Sequence, residues 1–69
     1  MVSIMKIERV KKDWSQQDLS ALTGIGQWRL SLIERGLVPS GEEAEKISRV
    51  LENTVENLFP ALVNSRSQP

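Results

Sequence analysis

Residues 24–36 read GIGQWRLSLIERG. Within that run Gln27, Trp28, Arg29, Ser31 and Leu32 put an amide, an indole, a guanidinium, a hydroxyl and a branched alkyl group into six consecutive positions. These groups bind rather than catalyse. An amide and a guanidinium each present hydrogen-bonding atoms in a plane, and the indole and leucine offer apolar contact area. A nucleophile would need a base beside it, yet the chain has no histidine and no cysteine. That removes the commonest general base, the commonest metal ligand and any thiolate. The G-x-G of Gly24 and Gly26 lacks the third glycine and the preceding strand of a phosphate-binding loop. The pattern therefore predicts no enzyme, no catalytic residue, no metal and no cofactor.

On a helical wheel of about 100° per residue, Leu30 and Ile33 share one side, with Glu34 beside them. Trp28 and Leu32 fall opposite as an i, i+4 pair, Ser31 and Arg35 share that outer half, and Gln27 and Arg29 occupy the flanks. If Leu30 and Ile33 face the core, Trp28 faces out. The alternative is that the indole folds back inward, as most tryptophans are largely buried.

The elements that would hold these side chains are short helices. Ile4, Ile7, Val10 and Trp14 recur at helical spacing and define one face of a first helix. Ser15 followed by Asp18 resembles a capping box and starts a second helix over 16–23, which Gly24 stops. Gly26 can cap a third helix over 27–35, ended by Gly36. Ser40 and Glu43 form a full capping box for a fourth helix, whose beginning is enriched in Glu42, Glu43 and Glu45, as the helix dipole favours. Ala44, Ile47, Val50 and Leu51 give it an apolar face, and Asn53 can close it. Thr54 can cap a fifth helix over 55–59, with Pro60 as its stop. Two helices joined only by Ile25 and Gly26 must cross steeply, which is the helix-turn-helix arrangement. Its second helix can enter a DNA major groove, which is wide enough for one helix with its side chains.

Composition sets the limits. A chain of 69 residues is one domain, near the size at which a core alone suffices. Nine basic and nine acidic residues cancel, unlike the excess of positive charge typical of proteins that coat nucleic acid without sequence preference. Residues 1–35 nevertheless carry a balance of +2 and residues 36–69 one of −2, so the positive end lies with the quoted stretch. No apolar segment is long enough for a signal peptide or membrane span, so a soluble cytoplasmic protein with no membrane partner is expected.

The run SQQDLSALTGIGQWRLSLIERG, residues 15–36, resembles the helix-turn-helix of the phage repressor and Cro type, the XRE-like family. The likeness rests on Ser15, Gln16, Leu19, Gly24, Ile33, Glu34 and Gly36, then on Pro39, Ser40 and the TVENLF run at 54–59. It implies an all-α fold, a compact five-helix phage-repressor-like domain over residues 1–60, with 61–69 as a short flexible tail. Gln16 would bind a phosphate at the start of the second helix and brace the third. Gln27, Trp28 and Arg29 would lie nearest the base edges, with Ser31 and Leu32 one turn later. Gln pairs in bidentate fashion with adenine, Arg with guanine, and an apolar group packs on a thymine methyl. Arg9 and Glu34 would form a partly buried structural ion pair between the first and third helices. The chain departs from the family pattern at Glu8, at Gly26 and in the loop Leu37–Gly41, which carries no Lys or Arg.

The resemblance implies a sequence-specific DNA-binding transcriptional regulator, a repressor, whose partner is double-stranded DNA. A homodimer is expected, with Leu62 and Val63 as dimer candidates and no small-molecule ligand evident. A second reading stays open: a protein-interaction module on the same fold, using Trp28 and Leu32.

Overall fold

Side-chain oxygens set where the helices begin. The computed structural model describes residues 3–62. Within them Ser3 caps α1 (Ile4–Lys11) by accepting from the Lys6 N–H, and Ser15 caps α2 (Gln16–Thr23) in a reciprocal box with Asp18. Gly26 precedes α3 (Gln27–Glu34) and has no side chain to cap it. Ser40 and Glu43 form the capping box of α4 (Gly41–Leu51), and Thr54 caps α5 (Val55–Leu58). Each such cap satisfies N–H groups that a helix start leaves without partners.

The turn between α2 and α3 is fixed from several sides. Gly24 sits in the left-handed region at φ 78° and donates to the Ser20 carbonyl at 2.8 Å. The Ser20 hydroxyl donates to the Ile25 carbonyl at 2.6 Å, and Thr23 Oγ1 accepts from the Ile25 N–H at 3.2 Å. Ile25 itself is buried, so the turn is pinned to the core. Leu19 from α2 and Leu30 from α3 are fully buried, and with Met5, Ile33, Ala44, Ile47, Leu51, Leu58 and Phe59 they make one core. Burying the Leu, Ile, Met and Phe side chains among them stabilises by roughly 1.5–3 kcal/mol each. The fold is all-α, and among the described residues no helix is long and apolar enough to cross a membrane.

The structure corrects three expectations. Ile4, Ile7 and Val10 form a stripe on the outside of α1, where they are 38–54% exposed. Met5 and Arg9 face the core instead, because Arg9 finds a buried carboxylate there; Trp14 does pack against the core. The α4 cap is Glu52, in the left-handed region at φ 56°, rather than Asn53. Pro60 does not end the helical structure: Phe59 breaks α5, and residues 60–62 are helical again. Proline suits the first position of a helical turn, where no N–H bond is lost. Leu62 is half-buried against the core; Val63 and the rest of the expected tail lie outside the described residues.

Candidate nucleic-acid interface

Three helices converge on one carboxylate beneath α3. Glu34 accepts from Arg9 Nε at 2.7 Å and Arg9 Nη2 at 3.3 Å, and from Gln16 Nε2 at 3.2 Å. Arg9 Nη1 donates to the Trp14 carbonyl at 2.7 Å, which ties the start of α2 to the same group. Both charged residues are buried, so the network is one in which pairing offsets desolvation. Arg9 and Glu34 thus stand as an ion pair between α1 and α3, and Gln16 braces the carboxylate from the start of α2.

The opposite side of α3 is open. Trp28 is 70% exposed, the most exposed large hydrophobic side chain among the described residues. Its indole edge lies back over the turn: a Cβ on Gly26 would meet Cδ1 and Nε1 at 3.5 Å. Helical side chains lean toward the N-terminus in this way. Gln27 is exposed beside it. Ser31 and Leu32 are half-buried one turn on. The Ser31 carbonyl and hydroxyl receive long hydrogen bonds from Arg35, both at 3.4 Å.

Arg29 behaves differently from its neighbours. Its Nε donates to Glu43 Oε2 at 2.8 Å and its Nη2 to Glu43 Oε1 at 3.0 Å, a bidentate bridge from α3 to the first turn of α4. Glu43 Oε1 also accepts from the Ser40 N–H at 2.9 Å, so one carboxylate serves both the cap and the bridge. Hydrogen bonding by Arg29, then by the Ser40 backbone, holds the Glu43 carboxyl far below its usual range, at about 2. The hydrogen bond to Glu43 in turn raises the pKa of the Arg29 guanidinium.

From the sequence Glu43 has only the role of a capping residue in the first turn of α4. A capping carboxylate has a second oxygen to give, but no local spacing joins Glu43 to a residue on another helix. Gln16, expected to bind a phosphate and brace α3, has Glu34 as its bracing partner. The site the structure assembles is therefore Gln27 and Trp28 in the open, Ser31 and Leu32 behind them, Arg29 drawn aside, and Arg9, Gln16 and Glu34 beneath.

The sequence profile of a family described as helix-turn-helix matches residues 5–58, which span α2, the turn and α3. Comparison with curated proteins and with solved structures found no significant match.

Proposed function

The chain belongs to the XRE-type helix-turn-helix family of DNA-binding regulators, and on that premise we propose that it is a sequence-specific transcriptional repressor that reads the major groove with α3. The observation that carries the reading is the exposed Gln27–Trp28 pair at the start of a helix anchored from below by Arg9, Gln16 and Glu34. A reading head needs exposed side chains on a rigid support, because a base contact discriminates only when its geometry is held. Gln27 is suited to adenine, Trp28 and Leu32 to a thymine methyl, and Ser31 to either class of edge. Gln16 and the free N–H groups at the start of α2 suit a phosphate. Arg29 lies on the flank of the same helix, bridged to Glu43.

Such a small domain makes few contacts alone, so two copies on half-sites about one helical turn apart are part of the proposal. In support, Leu62 borders an apolar groove of about 430 Å³ together with Ile4, Leu37, Val38 and Phe59. Leu37 and Val38 are themselves exposed, at 41% and 51%.

The test is selection from a pool of random duplexes at low and moderate salt, with sedimentation of the free protein across concentration. Enrichment of a palindromic site, lost in Gln27→Ala and weakening steeply with salt, supports the proposal. The second reading, a protein-interaction module, is favoured by the exposed indole and by the uncharged loop after α3. Association through those apolar groups would weaken little with salt, and no duplex would be enriched.

A further inference from the structure

The Arg29–Glu43 bridge bears on which bases such a helix could read. Among Gln27, Trp28, Arg29, Ser31 and Leu32, only Arg29 has the guanidinium that pairs with guanine in bidentate fashion. Its Nε–Nη2 edge is occupied by both oxygens of Glu43. Its backbone position is on the flank of α3 that faces α4, about 100° from Trp28 around the helix. Trp28 is exposed while Arg29 is only half-exposed. Glu43 is itself fixed, because the Ser40 N–H holds the oxygen that also receives Nη2. Moving Arg29 toward a groove would break two charge-assisted hydrogen bonds and leave the Glu43 carboxylate without its cationic partner.

We propose that Glu43 is a specificity-determining residue acting through Arg29: it holds the guanidinium against α4, so the start of α3 reads A·T pairs, through Gln27 and Trp28, rather than G·C. Arg29 is then a positioning residue that docks α3 on α4. This rests on the DNA-binding reading above. A carboxylate can also buttress an arginine while the arginine's free N–H groups reach a base. The two arrangements differ in what happens when the carboxylate loses its charge. A buttressed arginine loses its guanine; a restrained one gains it.

Glu43→Gln makes that change cleanly. Its amide oxygen can still accept from the Ser40 N–H, since glutamine serves in capping boxes, but the charged bidentate partner is gone. The experiment is random-duplex selection with the wild type, Gln27→Ala, Arg29→Ala and Glu43→Gln, each shown to be folded by circular dichroism. Gln27→Ala marks the base pairs that lie under the start of α3. At those pairs the wild type is expected to enrich A·T, and Arg29→Ala to keep the same consensus at lower affinity. Glu43→Gln is expected to gain a guanine preference of roughly tenfold or more there, within the range of one bidentate base contact. A guanine in the wild-type consensus that disappears in Arg29→Ala overturns the proposal while leaving the DNA-binding reading intact. So does a Glu43→Gln consensus identical to that of the wild type. If no protein enriches any duplex at low salt, the DNA-binding reading falls and this inference falls with it.

Discussion

Arg9 of α1 and Glu34 of α3 lie 25 residues apart in the chain and meet at 2.7 Å, with side chains only 10% and 4% exposed. The contact spans the helix-turn-helix unit and fixes the back of α3. Removing one member leaves the other charged and buried, which typically costs about 3–5 kcal/mol. The whole stability of a domain this size is of the same order, at roughly 0.05–0.15 kcal/mol per residue. Glu34→Ala is therefore expected to lose a large part of the wild-type stability at 25 °C. Arg9→Met combined with Glu34→Leu should recover most of the loss, because no orphaned charge remains. Urea unfolding of Glu34→Ala and of the double variant checks this, and a Glu34→Ala midpoint close to wild type would sink it.

Gly26 offers a gain rather than a loss. It occupies the N-cap position of α3 at φ −58° and ψ 145°, which ordinary residues adopt freely, yet it supplies no cap. A side chain there would touch the Trp28 indole at ordinary van der Waals distance, 3.5 Å. Serine would both accept an N–H from the first turn and reduce the freedom of the unfolded chain. Gly26→Ser is expected to stabilise by about 0.5–1 kcal/mol, read as a higher urea midpoint with an unchanged slope.

The pH dependence of stability should carry the mark of Glu43. Its carboxyl titrates at about 2 in the folded protein against an ordinary 4.5. A lowered folded pKa means that the unfolded chain takes up the proton first. The contribution of the ionised group is thus complete above the ordinary value and is lost as pH falls from about 4.5 toward 2. Melting temperatures of wild type and Glu43→Gln should differ by a constant amount above about pH 5.5 and converge below it. A gap that stays the same down to pH 2.5 would mean that Glu43 keeps an ordinary pKa.

How much of this was legible beforehand depends on how far apart in the chain the partners lie. Caps are local, so Ser15, Gly24, Ser40 and Thr54 mark their helix ends in the sequence alone. The outward face of α3 was legible in part: with Leu30 and Ile33 in the core the helical wheel puts Trp28 opposite, and the structure decides against an indole folded back inward. Helix α1 departs from its apolar periodicity, which assumes that what is buried is apolar. Arg9 breaks that assumption through a carboxylate 25 residues away, and it turns Ile4, Ile7 and Val10 outward. The bridge from Arg29 to Glu43, 14 residues on, is equally non-local. It depends on how α3 and α4 dock, which no spacing rule encodes.

Trp28 separates binding from folding. Its side chain is 70% exposed, so truncation removes little buried area. Trp28→Ala is expected to change stability by no more than about 0.5 kcal/mol, the range of surface substitutions without a special role. Its effect on DNA affinity should be much larger, at least tenfold, because the indole stands at the front of α3. The other tryptophan, Trp14, packs against the core with the Lys12 ammonium 5.6 Å from its ring centroid, so the two report on different surroundings. In a Trp14→Phe background the remaining emission comes from Trp28 alone. It should be red-shifted and readily quenched by acrylamide in the free protein, and shielded when a selected duplex is added. Shielding by duplex that disappears as salt rises places Trp28 in the DNA interface. Emission already blue-shifted and protected in the free protein would instead show an indole covered in solution, and the front of α3 would then have to be reassigned.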